Sequence, residues 1–189
     1  MIILDKEQIK SAGKDLIEKM QEGAVFIYPT DTIYGIGCNA CNKGAVARVR
    51  EIKQRAEKPF SVIAPSKQWI FDNCVVSEKA INWIDKLPGP YTLILRTRNS
   101  AVADNVNSGL ETLGVRIPEH WFTEAVKMAN VPFVTTSVNA AGHDYMTSLE
   151  DIDPEIKSKV DYIFYDGKKE GKPSKIVDLT SNEKVIERE

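Results

Sequence analysis

Three cations fall within six residues, Lys53, Arg55 and Lys58, and Arg116 and Arg188 stand near the ends of apolar, β-prone stretches. Hydroxyl side chains gather in similar places: Thr30 and Thr32, the run Thr135, Thr136 and Ser137, and Ser174. Such cations supply directed N–H donors, and nearby glycines such as Gly35 and Gly37 let backbone approach a ligand, so the set suits phosphate and carboxylate oxygens. A solvated charged face explains clustered Lys and Arg equally well. The hydroxyls tip the balance, because they lie where apolar runs stop, which is where open α/β sheets place their ligands.

Other chemistries fit less well. Gly35, Gly37 and Ala40 match the spacing of a dinucleotide-binding turn, with Glu57 twenty residues past Gly37. Yet Pro29 to Tyr34 separates the strand from the first glycine, and Glu57 precedes Lys58 and Pro59 instead of ending a strand. Cys38 and Cys41 form a C-x-x-C with no second pair, and Cys74, His120 and His143 are scattered. Small buried cysteines are therefore expected, and no metal site built by the protein. P-loop, H-E-x-x-H and G-x-S-x-G patterns are absent, so neither a metal hydrolase nor a serine nucleophile is indicated.

The elements that must position these groups alternate in type. Ile9, Ala12, Leu16, Ile17 and Met20 recur at helical spacing between Asp5 and Gln21, and Gly23 is a stop signal. Ala24 to Tyr28 reads as a buried strand running into a loop from Pro29 through Gly37. Lys43 to Arg55 is helical, and Phe60 to Ala64 a buried strand. Trp69 to Phe71 and Glu78 to Leu87 are short helical pieces, and Ala101 to Leu110 is a loop. Tyr91 to Arg98, Thr112 to Ile117 and Pro132 to Thr136 are strands, with a helix from His120 to Ala129. Weak helices near Leu149 to Lys159 precede three closing strands, Asp161 to Tyr165, Lys175 to Leu179 and Val185 to Arg188. Strand, helix, strand in repetition predicts an α/β sheet with helices against its faces.

At 189 residues, without internal repeats or a linker-like tract, one domain over 1–189 is expected. The net charge of −2 disfavours indiscriminate binding to nucleic acid or anionic membrane. No apolar run approaches a membrane span, Met1 to Lys19 is amphipathic and not a leader, and three cysteines are few, so a cytoplasmic protein is expected.

Taken together, PTDTIYGIG, the K-x-R of Lys53 and Arg55, GVRIP around Arg116, the S-x-N of Ser137 and Asn139, and GKPSKIVDL resemble the YrdC-like family of threonylcarbamoyl-adenylate synthases. The likeness runs from about Ala24 to Arg188, in the short, single-domain form. It implies a twisted, open, mixed α/β sheet with a large concave, positively charged cavity. It also implies a reaction: L-threonine, bicarbonate and ATP give threonylcarbamoyl-AMP and pyrophosphate, the first step towards N6-threonylcarbamoyladenosine in tRNA. Mg2+ on the phosphates, a downstream threonylcarbamoyl transferase complex and a weak contact with tRNA or other RNA belong to the same expectation.

By this resemblance Thr32, Tyr34, Arg116, Thr135 and Ser174 hold threonine, with Arg116 as the carboxylate clamp. Arg55, Lys58, Thr112, Ser137, Asn139 and Arg188 hold ATP, and Lys53 and Arg55 are the catalytic pair. The chain departs from the family pattern at Ile63 and Ala64, where a histidine is usual, at Ala141 and at Lys175. Gly142 to Ser148 is a candidate lid. Two alternatives stay open on the residues: an RNA-binding module using the concave surface, and a carbamoyl-adenylating enzyme.

Overall fold

The computed structural model describes residues 1–11, 13–140 and 142–187, so Ala12, Ala141 and Arg188 lie outside the described residues. In chain order the first elements are β1 (Ile2–Leu4), α1 (Lys6–Ser11), α2 (Gly13–Glu22), β2 (Phe26–Tyr28), β3 (Gly35–Gly37), α3 (Lys43–Lys53), β4 (Ser61–Ile63) and α4 (Lys67–Asn73). There follow β5 (Cys74–Val75), α5 (Glu78–Asp85), β6 (Tyr91–Thr97), β7 (Thr112–Arg116), α6 (Phe122–Ala129) and β8 (Phe133–Ser137). A 3-10 turn (Leu149–Asp151), α7 (Pro154–Lys159), β9 (Tyr162–Phe164), β10 (Lys175–Asp178) and β11 (Lys184–Ile186) complete the chain.

The strands form one open, mixed sheet in the order β1-β9-β2-β3-β8-β4-β7-β6-β10-β11, with β5 paired to β6. Strand β4 runs parallel to β7 and antiparallel to β8, while β6 is antiparallel to β7 and parallel to β10. Side chains alternate across the sheet, so each central strand divides its residues between two environments. Ile27, Ile36, Val62, Leu93, Leu113, Val115 and Val134 point to one face and join a buried core with Val46, Val49 and Ile84 from α3 and α5.

The opposite face is divided. At one end Phe26, Tyr28, Ile63, Phe133 and Phe164 pack with Leu16 and Met20 of α2 and Phe122 and Val126 of α6. Tyr28 stacks on Phe122 at 4.0 Å, and Phe122 meets Phe133 edge-on at 5.7 Å, pairings worth about 0.5–1.5 kcal/mol each beyond their area. The other half, over which no helix packs among the described residues, is the floor of a cavity.

Several elements differ from the sequence reading. The stripe between Asp5 and Gln21 is helical on both sides of Ala12, in α1 and α2. Gly35–Gly37, read as a loop, is strand β3 between β2 and β8, and its glycines are packing requirements. A Cβ on Gly35 would meet the Tyr28 ring, and one on Gly37 would overlap the Val134 carbonyl. Helix α4 is longer than its apolar core because Ser66 Oγ accepts the Trp69 N–H at 3.0 Å and caps it. Strands β1 and β5 are additional; each is short and has one partner strand, so local pattern carries little of their signal.

Candidate active site

The cavity floor follows from strand register. Thr135, Ser61, Gly114, Ile94 and Asp178 are successive partners across β8, β4, β7, β6 and β10, a row of four strand spacings, roughly 19 Å at about 4.8 Å each. Two-residue alternation adds Ser137, Thr112, Arg116, Thr92 and Ile176 to the same surface. The enclosed space is about 500 Å³, within the range of small-molecule sites. Gly114 keeps the floor flat: a Cβ there would overlap Ser61 Oγ and press on Thr92.

One corner is built by the end of α3. Asn42 Oδ1 accepts the Ala45 N–H at 3.1 Å to start the helix, and Gln54 ends it in the left-handed region, with φ of 49°. The Arg55 N–H reaches back to the Arg50 carbonyl and the Gln54 N–H to that of Glu51, a helix-ending turn more often made by glycine. This reversal sends Lys53 and Arg55 to different places. Lys53, 3% exposed, donates at 2.6 Å each to the Ser137 carbonyl, the Asn139 carbonyl and Asn139 Oδ1. Burial, and then the neighbouring Arg55, push its ammonium down to about 8.

Arg55 instead lines the cavity. Its Nη2 donates to the Pro59 carbonyl at 3.1 Å and its Nη1 to Thr136 Oγ1 at 3.5 Å, and its buried Nε has no partner among the described residues. The loop carrying it is held by Arg50, whose Nη1 donates to the carbonyls of Arg55, Ala56 and Lys58 at 2.9, 3.0 and 3.1 Å. Arg50 also donates from Nε to the Asn105 carbonyl at 2.7 Å, and its guanidinium lies 4.5 Å above the Phe60 ring.

The opposite corner is built by the loop after β2. Thr30 Oγ1 accepts the Thr32 N–H at 3.1 Å and donates to the Ile33 carbonyl at 2.7 Å, closing a tight polar turn. That turn presents Asp31 to Arg116 at the end of β7. Arg116 Nη2 donates to Asp31 Oδ1 at 2.5 Å, and Asp31 Oδ2 accepts the Glu119 N–H at 3.1 Å. The pair is nearly sealed from water, with side chains 7% and 11% exposed. Arg116 also touches Thr32 Oγ1 at 3.4 and 3.5 Å, while its buried Nε has no partner among the described residues.

Side walls complete the enclosure. Tyr34 donates to the Gly167 carbonyl at 2.6 Å, accepts the Asp166 N–H at 3.0 Å and stacks on Tyr165, while burial raises its phenol to about 12. Ser174 and Thr92 share a hydrogen bond of 2.7 Å. Tyr145 reaches the cavity from the 142–148 segment, and Asp178 Oδ1 accepts the N–H and hydroxyl of Thr180 at 2.9 and 2.7 Å.

The structure brings Tyr34, Arg55, Thr112, Arg116, Thr135, Ser137 and Ser174 onto one cavity lining. It places Thr32 behind Arg116, and Lys53 and Asn139 behind the wall. Asn139 Oδ1 accepts from Lys53 and from Ser137 Oγ, and its Nδ2 donates to the His143 carbonyl at 2.6 Å, so it braces the turn. Lys58 is exposed and off the lining, and Arg188 lies outside the described residues. Ile63 is fully buried in the aromatic core beside the cavity, and Lys175 is exposed and pairs with Glu187 at 2.7 Å. Of the cysteines, Cys38 and Cys74 are buried, but Cys41 is exposed, because it lies in the turn before α3 and not on β3.

Asp31, Arg50, Ser61 and Thr92 were not singled out as site residues. Three of them depend on partners far along the chain; the polar step PTDT was the one local sign of Asp31. No group of three or more His, Cys, Asp or Glu that could hold a metal occurs among the described residues. The only carboxylate on the described lining is Asp178, so a divalent cation fits here as an ion carried on a nucleotide's phosphates, not as one caged by the protein. Among the described residues, no helix is long and apolar enough to cross a membrane.

Known proteins resemble this chain in sequence and fold. A putative threonylcarbamoyl-AMP synthase of Methanocaldococcus jannaschii is 36% identical, over 98% of this chain and 89% of the relative. The crystal structure of Pyrococcus abyssi Sua5 complexed with L-threonine superposes with a TM-score of 0.83 at 26% identity, covering 94% of this chain and 54% of that one. This chain thus spans about half the length of Sua5. The structure of Escherichia coli YciO gives a TM-score of 0.83 at 26% identity, covering 99% of this chain and 93% of that one. The family model for Sua5, YciO and YrdC, described as "Telomere recombination", matches residues 18–189, and the chain belongs to that family.

Proposed function

We propose that this protein is an L-threonylcarbamoyladenylate synthase, a nucleotidyltransferase that forms threonylcarbamoyl-AMP and pyrophosphate from L-threonine, bicarbonate and ATP. The observation that carries the reading is one hydroxyl-lined floor with an ion-paired guanidinium, Arg116, at one corner and at another Arg55, which has no carboxylate partner among the described residues. Arg116 suits the carboxylate of an amino acid and Arg55 the phosphates of ATP. The relatives named as synthases and the threonine-bound Sua5 support the same assignment.

In this reading the threonine amine takes up bicarbonate-derived CO2 as a carbamate. A carbamate oxygen attacks the α-phosphorus, and pyrophosphate leaves with the electron pair of the broken P–O bond. No lysine, histidine or cysteine stands on the described lining, which fits a reaction that needs no enzyme nucleophile. Catalysis is then positioning and stabilisation of phosphate charge, with on the order of 7–11 kcal/mol available from orientation alone. Thr112, Thr135, Ser137 and Ser174 direct the reactants, and Lys53 and Asn139 keep the Ser137 turn in shape. Mg2+ supplies charge neutralisation on the phosphates when bound with ATP.

The 1–189 unit acts in the cytoplasm, and its product passes to a threonylcarbamoyl transferase complex that modifies tRNA. The test is pyrophosphate release by purified protein with ATP, Mg2+, bicarbonate and threonine. Release that depends on threonine is expected. Equal release without threonine, or release driven by carbamoyl phosphate in place of threonine and bicarbonate, would overturn the reading.

A further inference from the structure

The two guanidiniums of the cavity differ in charge environment. Arg116 has a resident carboxylate, with Asp31 Oδ1 at 2.5 Å from its Nη2, and the pair is almost sealed from water. Asp31 is itself held by the Glu119 N–H at 3.1 Å. Arg55 has neutral hydrogen-bond partners, Pro59 and Thr136, and its charged neighbour Arg50 is of like sign. Both keep a buried Nε without a partner among the described residues.

We infer that Asp31 is a specificity-determining residue: by neutralising Arg116 it leaves a carboxylate clamp of no net charge, which accepts a zwitterionic amino acid and repels phosphate. Where an ion pair is nearly sealed from water, a second anion placed beside it meets the resident carboxylate's repulsion as well as the guanidinium's attraction. An amino acid carries its own ammonium and offsets that repulsion, whereas phosphate does not. Phosphates are therefore directed to Arg55, where no carboxylate opposes them. This sorting matters in a cavity that must hold a triphosphate and an amino acid at once, since either anion could otherwise occupy either arginine. Asp31 acts through Arg116 and is a positioning residue, not a catalytic one.

Given the synthase reading, on which this rests, the test is threonine binding by calorimetry with inorganic phosphate as competitor at matched ionic strength. In wild type, phosphate should weaken ATP binding and leave the threonine Kd unchanged. In Asp31→Asn, phosphate should compete with threonine roughly tenfold more strongly or better, and should raise the melting temperature further than its binding at Arg55 does in wild type. A change that merely loosened the fold would not create phosphate affinity. Asp31→Glu, which keeps the charge, should restore exclusion. Should Asp31→Asn not fold, the wild-type arm decides: phosphate that displaces threonine as readily as ATP overturns the inference. Wild type that binds no threonine sinks the synthase reading itself. Threonine bound normally, with equal phosphate insensitivity in wild type and Asp31→Asn, sinks only the sorting role.

Discussion

Two halves of one sheet face meet different fates on the same strands. On β4, Ile63 enters the aromatic core while Ser61, two residues earlier, lies on the cavity floor; on β8, Phe133 and Thr135 divide in the same way. Backbone pairing is continuous across both halves, so hydrogen bonding does not distinguish them. The difference lies in side chains and in what covers them. Where α2 and α6 arrive with Leu16, Met20, Phe122 and Val126 the face closes, and where no helix arrives the strands present hydroxyls and arginines. Stability and chemistry thus occupy separate parts of one surface.

The strongest challenge to that division is Phe133→Ala. The closed half should lose about 3–5 kcal/mol of unfolding free energy, read by urea denaturation, with turnover per folded molecule little altered. Turnover lost at full stability would break the comparison. Arg55→Ala should do the reverse, costing about 3 kcal/mol of transition-state stabilisation in pyrophosphate-release kinetics. Its melting temperature should change little, since the substitution also relieves repulsion with Arg50 and Lys53.

The smallest effect is a pH dependence at Lys53, on the boundary between the two roles. Its ammonium titrates near 8 when folded and near 10.5 when exposed, so between those values the unfolded chain binds a proton that the folded chain lacks. Stability from this group therefore increases as pH rises through that window. Activity should fall over the same window, because a neutral amine has two N–H groups for three acceptors and the Ser137 turn loosens. Thermal melts and rate–pH profiles that rise together above pH 8 would count against Lys53 as the brace.

The sheet and much of its floor were legible because apolar runs and the hydroxyls at their ends are local signals. Arg116, Thr135 and Ser174 stand where such runs meet loops, and they line the cavity. The K-x-R pair was visible, but its division of labour was not. Whether Lys53 faces a ligand or a turn depends on the left-handed residue Gln54 and on carbonyls more than eighty residues away. The polar step PTDT marks Asp31, but its pairing with Arg116 is not legible, since that partner is 85 residues distant. Gly35 and Gly37 mislead locally: they read as part of a loop, yet the Tyr28 ring and the Val134 carbonyl demand them in a strand.

Gly114 is flanked on β7 by Leu113 and Val115, which face the helical core, while Thr112 and Arg116 face the cavity. Because adjacent letters of the chain serve different masters, floor positions other than Gly114, where a Cβ would overlap Ser61 Oγ, can be rewritten singly without disturbing the packing beneath them. The scaffold is therefore evolvable in a particular sense: a lineage could exchange ligands by editing every second residue of a few strands, and the fold would persist through the change.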